Sequence, residues 1–242
     1  MDDQKKLSAF IFNNAEAQDI RVTELTWFTD IGVPVSDVCV SVKSPRTCRE
    51  GRGTATSSEL ALIKAYVEAV EREVVRENGW ETTNGVAGHT SLNEAKLAAK
   101  HELIERHLFL KNFYESRPFA MKHAVSRSTL SAKLIEHLNC SGAETLEYFC
   151  DLSDSTFCLV IIFGTSGSRP FGMIIGTAVK SDKGSAFEAA LIEAARFYAV
   201  LEENPSYKSL CESEFRSLPR PSFEDHGRLA LDSEYAKWFR DN

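Results

Sequence analysis

The spacing of hydrophobic and polar positions in the first half of the chain predicts a strand followed by amphipathic helices. An apolar segment covers residues 35–42, and apolar positions three and four apart then recur over 57–77 and again over 91–114. A shorter helix is predicted over 129–138, with Gly142 just after its end, where glycine commonly closes a helix.

The second half of the chain contains three more predicted strands and a long helix. The strands cover residues 146–152, 157–163 and 171–179, and the last of them leads into a helix over 182–203. A polar tail follows and ends in a short helix near 234–240. Strands that alternate with helices in this way predict an α/β fold.

An internal repeat underlies this pattern. Three helices each follow a glycine, which we interpret as part of a turn, and each has an N-cap candidate eleven residues before a glutamate. The cap and glutamate pairs are Ser57 with Glu68, Ser91 with Glu102, and Asp182 with Glu193, and the glycines are Gly53, Gly88 and Gly176. Because the caps fix where each helix begins, the three glutamates share one register. We expect the three helices to converge on one internally pseudo-symmetric cleft.

Two of these helices carry the same string of charged residues, E-x-x-E-R. The first string runs from Glu68 to Arg72 and the second from Glu102 to Arg106, so each gathers two carboxylates and one guanidinium on one helix face. If the faces meet, the carboxylates repel one another unless a cation compensates them, and Mg²⁺ prefers such oxygen ligands. Both arginines would then suit bidentate phosphate contacts. The predicted metal ligands are Glu68, Glu71, Glu102 and Glu105.

Each string could also be an ordinary solvated helix face. The second copy argues against this, because Ala98, Ala99 and Phe109 make the rest of its face apolar. The face of the first copy also holds Lys64 and is compatible with full exposure. Both interpretations therefore stay open for the first helix.

A turn-forming segment, residues 83–88, precedes the second of these helices and has the sequence Thr-Asn-Gly-Val-Ala-Gly. Asn and Gly tolerate positive φ, and such a turn exposes main-chain N–H groups. These groups can cradle a phosphate, but a tight turn before a helix has the same composition.

Composition and charge narrow the class of protein. The 242 residues are 43% hydrophobic and 26% charged, which suits a globular chain, and the net charge of −7 argues against a nucleic-acid binder. The longest apolar run, 158–163, is too short to span a membrane, and the N-terminus lacks a signal-peptide pattern, so we expect a cytoplasmic protein that does not enter a membrane. Six cysteines without a C-x-x-C pair suggest neither a zinc site nor a disulfide framework.

In their order and spacing, these motifs resemble the YcaO family. The matching strings are 31–35 (IGVPV), 51–53 (GRG), the two E-x-x-E-R strings, 84–87 (NGVA), and more loosely Gly176 with Glu193. The resemblance spans about residues 20–200 and implies one domain over 1–242, with a C-terminal tail at about 204–242. It implies an α/β fold of repeated strand-turn-helix units around a shared nucleotide site.

The resemblance also implies ATP- and Mg²⁺-dependent activation of backbone amides. In such enzymes a nucleophile attacks an amide carbonyl while ATP phosphorylates the amide oxygen, and loss of phosphate leaves an azoline, an amidine or a thioamide. The E-x-x-E carboxylates would hold Mg²⁺ on the triphosphate. Nucleotide contacts would fall on Asn84, Arg72, Arg106 and Glu193, and no catalytic residue is identified in this chain.

The chain departs from the family pattern at three positions. Lys64 stands where members usually have a serine, Ala189 where they have a basic residue, and Arg52 replaces the lysine of a G-K-G string. Lys64 could supply a missing cation or obstruct the metal. Two hypotheses therefore stay open beside that of an unrelated α/β protein: an ATP-dependent cyclodehydratase-like enzyme subunit, and a degenerate YcaO domain that binds a peptide or a partner protein without catalysis.

The enzyme hypothesis predicts partners. The substrate would be a ribosomally made precursor peptide of the kind used in bacteriocin or other antibiotic biosynthesis. The sequence has neither a Pro-rich C-terminal tail nor a recognisable leader-binding region, so we expect a leader-binding, ubiquitin-activating-like or TfuA-like partner protein. A homodimer also stays open, because the apolar segment 157–163 could form a dimer face or a strand core.

Overall fold

The structure, a computed structural model, is mixed α/β, as the hydrophobic pattern predicts. It describes residues 3–14, 20–44, 47–114, 126–164, 171–204, 207–219 and 223–241. The chain divides into two compact units, Met1–Arg106 and His107–Asn242. Each unit contains a three-stranded antiparallel sheet with a long helix packed on it. The organisation of 1–242 as one domain stays a prediction.

The first unit is built on sheet A, in which β1, β2 and β3 pair in chain order. Its elements are α1 (Asp3–Asn14), β1 (Ile20–Trp27), β2 (Val35–Ser44), β3 (Thr47–Ala55), α2 (Ser58–Glu77) and the first part of α3 (Leu92–Tyr114). Helix α2 packs against β3 and β2. The core between them contains Val38, Val40, Ala61 and Ala65, all nearly inaccessible to solvent.

Two glycines of β3 explain how closely α2 approaches the sheet. A Cβ at Gly51 would overlap the Ala65 carbonyl oxygen, and a Cβ at Gly53 would overlap the Ala61 carbonyl oxygen. The prediction that Gly53 belongs to a turn is therefore wrong. Gly53 lies within a strand, and its lack of a side chain makes room for the helix backbone.

The second unit repeats this arrangement with sheet B. Its elements are α4 (Thr129–Cys140), β4 (Ala143–Asp151), β5 (Thr156–Gly164), β6 (Met173–Lys180), α5 (Lys183–Glu203), α6 (Glu212–Ser217), α7 (Phe223–Ala230) and α8 (Ser233–Asp241). Helix α5 packs against β6 and β5. Gly176 of β6 faces Ala190 and Ala194 of α5 as Gly51 faces Ala65 and Ala69 of α2, so it too is a strand residue and not part of a turn.

Strand β5 lies between β4 and β6, and its residues from Thr156 to Phe163 are all buried. Of the two interpretations that the sequence left open for 157–163, the structure favours the strand core over a dimer face.

The predicted helix starts agree with the structure. The Ser57 hydroxyl accepts a hydrogen bond from the Leu60 N–H at 3.4 Å, and the Asp182 carboxylate accepts one from the Ser185 N–H at 2.9 Å. Helix α3 begins directly after Ser91, whose carbonyl accepts from the Ala95 N–H. All three helices therefore begin in the register that the cap candidates predicted.

Five elements were not predicted from the sequence: α1, β1, β3, α6 and α7. Strand β3 is rich in glycine and charge, and the residues of β1 from Arg21 to Thr26 are exposed on both faces. Neither strand shows the alternation of a half-buried strand, because β1 buries only its end residues and β3 places glycines where apolar side chains usually lie.

Candidate functional site

Each of the three repeat glutamates accepts a hydrogen bond from a main-chain N–H group 16 or 17 residues earlier. Glu68 Oε2 accepts from the Arg52 N–H at 2.5 Å, and Glu193 Oε2 accepts from the Thr177 N–H at 2.9 Å. Glu102 Oε2 accepts from the Gly85 N–H at 3.0 Å. The first two donors lie on β3 and β6, directly after a glycine. The repeat therefore extends from the helix caps to the orientation of each carboxylate.

The turn before α3 links the glutamates of two helices. The Gly85 N–H donates to Glu102 on α3, and the Gly88 N–H donates to Glu71 Oε1 on α2 at 2.5 Å. Gly85 has a φ of 76°, a conformation that favours glycine, and the Val86 N–H donates to the Thr83 carbonyl. The segment is thus a tight turn, and two of the N–H groups considered for a phosphate cradle hold carboxylates in this structure.

The carboxylates of the first unit influence one another electrostatically. Burial, together with the negative charges of Glu102 and Glu68, raises the pKa of Glu71 to about 7 against the opposing effects of the Gly88 N–H and Arg72. A carboxylate in such a position is held with difficulty as an anion. In the absence of a further cation, the anionic form of Glu71 is therefore disfavoured.

The four predicted metal ligands are placed unequally. Glu68, Glu71 and Glu102 belong to the interacting group, and Glu105 lies half-buried one turn further along α3. Within the described residues, no set of three or more His, Cys, Asp or Glu side chains is arranged to hold a metal ion. The tetra-carboxylate metal site stays a prediction.

The arginines of the two strings differ in their contacts. Arg72 Nη2 donates to Glu68 Oε1 at 2.7 Å, and its Nη1 donates to the Glu50 carbonyl on β3 at 2.6 Å. Arg106 Nη2 donates to Glu102 Oε1 at 2.9 Å. Asn84, the other predicted nucleotide residue, is exposed, and its N–H donates to the Thr82 hydroxyl.

Two of the positions at which the chain departs from the family pattern have defined contacts. Lys64 Nζ donates to the Thr54 carbonyl at 3.0 Å, at the end of β3. The Arg52 guanidinium makes a bidentate ion pair with Asp37, whose side chain is only 1% exposed, and this hydrogen bond raises the pKa of Arg52. The third position, Ala189, is half-buried on α5. Sequence reasoning missed Asp37, although a lone aspartate inside the apolar segment 35–42 was a usable signal.

The donor chemistry of the first unit fits Mg²⁺. The candidate ligands are carboxylate oxygens, which a hard cation prefers, and each hydrogen-bonded carboxylate keeps further lone pairs for a metal. The pKa of Glu71, raised by burial and by the charges of Glu102 and Glu68, is one that a bound cation would lower. Glu68, Glu71 and Glu102 are the side chains that would hold the ion, although they are not arranged around one metal position in this structure, and the bound ion would neutralise phosphate charge.

A cavity of about 370 Å³ in the second unit was not anticipated from the sequence. It is lined by aromatic, aliphatic and charged side chains, including Phe171, Tyr198, Tyr207, Glu202 and Lys208. These residues are scattered along the chain without a common spacing, so no sequence pattern indicated the cavity.

A family model described as YcaO cyclodehydratase, ATP- and Mg²⁺-binding, matches residues 71–240. The chain therefore belongs to the YcaO family, and the resemblance inferred from its motifs is confirmed. Of the predicted site residues, only Glu68 precedes the matched range; the others, Glu71, Arg72, Asn84, Glu102, Glu105, Arg106 and Glu193, fall inside it. No curated protein matches the sequence.

Solved structures with the same fold include YcaO from Methanopyrus kandleri bound with AMPPCP and Mg²⁺. That protein is 15% identical with a TM-score of 0.65, and the match covers 88% of this chain and 72% of that one. A heterocyclase in complex with substrate and cofactor is 14% identical with a TM-score of 0.59, over 92% of this chain and 44% of the other.

The E. coli microcin synthetase McbBCD complex with pro-MccB17 bound also contains a similar chain. It is 15% identical with a TM-score of 0.50, and the match covers 78% of this chain and 46% of that chain. The protein thus spans less than half the length of the heterocyclase and microcin synthetase chains that it resembles.

Among the helices of the described residues, none combines the length and apolarity that a membrane crossing requires.

Proposed function

We propose that this YcaO protein uses ATP and Mg²⁺ to activate backbone amides of a ribosomally made precursor peptide, as one subunit of a biosynthetic complex. A nucleophile adds to the amide carbonyl, the γ-phosphoryl group of ATP passes to the amide oxygen, and ADP is released. That oxygen then departs as inorganic phosphate, which leaves an azoline- or thioamide-type product. Catalysis of this kind depends on positioning and charge neutralisation.

The observation that carries the proposal is the carboxylate group around Glu71. Three glutamates from α2 and α3 are oriented by main-chain N–H groups, and burial together with the negative charges of Glu102 and Glu68 raises the pKa of Glu71 to about 7. A partly buried carboxylate beside two others is unfavourable as an anion in a purely structural cluster, whereas a bound cation would stabilise it. Membership of an ATP- and Mg²⁺-binding family supports the same assignment.

The roles fall on these residues as follows. Glu68, Glu71, Glu102 and Glu105 contribute metal ligands, and Asn84 and Arg106 contact the nucleotide. In the second unit, Glu193 has the local geometry that Glu68 has in the first, and this likeness supports the assignment of Glu193 to the nucleotide site.

The test is calorimetric ATP binding with and without Mg²⁺, together with turnover in the presence of precursor peptide and partner. Glu105→Gln keeps the shape of the side chain and removes one charge, so it should weaken Mg²⁺·ATP binding and slow product formation by about 10²-fold, or about 2.7 kcal/mol of barrier. Glu94→Gln, at an exposed position in the first turn of the same helix, is the matched control.

Glu73 lies on the same helix as Glu68 but is not a suitable control for this experiment. Its carboxylate pairs with Arg49 of β3 at 3.2 Å and with Arg76. A Glu73→Gln change would therefore disturb the attachment of α2 to the sheet.

If Glu105→Gln binds Mg²⁺·ATP with unaltered affinity, the Glu105 carboxylate has no part in the mechanism.

A degenerate YcaO domain that binds peptide or partner protein without catalysis is the second candidate. Two observations favour this second candidate. Within the described residues, no group of three or more His, Cys, Asp or Glu side chains is arranged to bind a metal ion, and Ala189 stands where family members usually have a basic residue. A parent protein that binds no nucleotide with Mg²⁺, even with peptide and partner present, would establish this second function instead.

A further inference from the structure

Within the described residues, the outward edge of strand β3 is contacted by side chains of α2 and not by another strand. Strand β3 pairs with β2 on one side only within the described part of sheet A, so it is an edge strand. The N–H and C=O groups on such an edge need partners, because an unpaired edge costs free energy when buried and attracts other strands when exposed.

Helix α2 supplies these partners from a single stripe of side chains four residues apart. Lys64 Nζ donates to the Thr54 carbonyl at 3.0 Å, the Arg52 N–H donates to Glu68 at 2.5 Å, and Arg72 Nη1 donates to the Glu50 carbonyl at 2.6 Å. The helix and the strand run in opposite directions along this contact. We call these three side chains the edge stripe.

The spacing of the two elements explains why all three contacts form together. Four residues of an α-helix rise about 6 Å, and two residues of a strand rise about 6.6 Å, so the edge stripe stays in step with alternate residues of β3. Gly51 and Gly53 let the helix lie close enough for the contacts, because a Cβ at either position would overlap the α2 backbone.

Glu68 lies at the centre of the edge stripe, between two cations. One of its oxygens accepts from β3 and the other accepts from Arg72 at 2.7 Å, while Arg72 is itself attached to β3. The position of Glu68 is therefore set by the strand edge and by its neighbours on the helix.

We propose that Lys64 and Arg72 are positioning residues, which hold the Glu68 carboxylate against β3, and that neither contacts the nucleotide. This inference rests on the proposed function for the role of Glu68 as a metal ligand. The proposed positioning role distinguishes the arginines of the two E-x-x-E-R strings. Arg106 has an ion pair with Glu102 but, within the described residues, no contact with a strand carbonyl like that of Arg72. Phosphate recognition then belongs to Arg106.

The experiment compares Lys64→Met, Arg72→Met and Arg106→Met, each of which keeps an unbranched apolar stem and removes the charge. Lys96→Met, at an exposed position of α3, is the control. The first readout is hydrogen exchange of the Arg52 amide and its β3 neighbours in the nucleotide-free full-length protein. The second is ATP affinity as a function of Mg²⁺ concentration.

Lys64→Met and Arg72→Met should speed exchange of the Arg52 amide about tenfold or more, because α2 loses an attachment to the β3 edge and Glu68, the acceptor of this amide, is held less firmly. They should raise the Mg²⁺ concentration needed for half-maximal ATP binding about threefold or more, with the affinity at saturating Mg²⁺ nearly unchanged. Arg106→Met should leave β3 exchange unaltered and weaken ATP at least tenfold at saturating Mg²⁺. Lys64→Arg, which keeps a donor, should restore parental exchange.

The inference is overturned if Arg72→Met leaves exchange in β3 unchanged and weakens ATP as Arg106→Met does, since Arg72 would then be a nucleotide ligand. Should Arg72→Met fail to fold, Lys64→Met still decides whether the edge stripe positions Glu68, and unchanged exchange of the Arg52 amide in that variant would also overturn the inference. Absence of Mg²⁺-dependent ATP binding in the parent would defeat the proposed function, whereas the exchange measurement would still decide the role of the edge stripe.

Discussion

At the scale of single residues, the most informative pair is Asp37 and Arg52. Asp37 is buried on β2, and its carboxylate accepts from both the Arg52 guanidinium and the Thr54 hydroxyl. The Arg52 side chain is 42% exposed, so water can solvate it if its partner is lost. The Asp37 carboxylate therefore needs its partner more than the Arg52 guanidinium does, because only the carboxylate is fully withdrawn from water.

This inequality predicts different costs for the two neutralising substitutions. Arg52→Met leaves a buried carboxylate without its guanidinium and should lower the free energy of unfolding by about 2 kcal/mol. Asp37→Asn removes the buried charge, keeps an acceptor, and should cost about 1 kcal/mol. Urea unfolding of both variants at neutral pH measures the difference, and a larger loss in Asp37→Asn would contradict it.

At the scale of elements, each sheet is joined to its helix through a glycine. Gly51 faces the backbone of α2 and Gly176 faces that of α5, and in both cases the opposing residues are alanines. Small residues on both elements bring the helix close to the third strand. This close approach allows Glu68 and Glu193 to reach main-chain N–H groups at the strand edge.

Gly51→Ala and Gly176→Ala should each lower the free energy of unfolding by about 3 kcal/mol, because the added Cβ would meet helix backbone, which cannot move aside alone. Gly227→Ala is the matched control. Its Cβ would meet nothing within 4 Å and it lies inside α7, so this change should stabilise the protein by about 0.5–1 kcal/mol. Calorimetric or denaturant unfolding of the three variants tests the expectation, and equal effects would refute it.

At the scale of the whole molecule, the two units share one local arrangement of strand, helix and glutamate. Strand β3 with α2 and strand β6 with α5 each orient a glutamate through a main-chain N–H. The sequence predicts that the helices of Glu68, Glu102 and Glu193 serve one cleft. That convergence stays a prediction, and it has a direct functional consequence.

If Glu193 serves the same nucleotide, Glu193→Gln should weaken Mg²⁺·ATP binding about tenfold, although the residue belongs to the second unit. Glutamine still offers an oxygen to the Thr177 N–H, so the local fold should be kept. Glu203→Gln, at an exposed position near the end of the same helix, should leave the affinity unchanged. Isothermal calorimetry of the three proteins gives the answer, and parental affinity in Glu193→Gln would restrict the site to the first unit.

Much of the architecture could be predicted because it is encoded locally. Helix starts depend on a capping side chain within the first turn, and Ser57 and Asp182 supply such caps. The E-x-x-E-R strings fix which charges share a helix face. These features depend on neighbours in the sequence, which is why the motifs, their register and the family could be recognised from the chain alone.

The tertiary structure decided what those motifs contact. Strand β3 has no apolar alternation, so only its pairing with β2 and its packing under α2 define it as a strand. The use of Lys64 at a β3 carbonyl, the burial of Asp37 and the different attachments of Arg72 and Arg106 all depend on that strand. Contacts between residues distant in the sequence are set by packing, and packing leaves no periodic signal in a glycine-rich, charged segment.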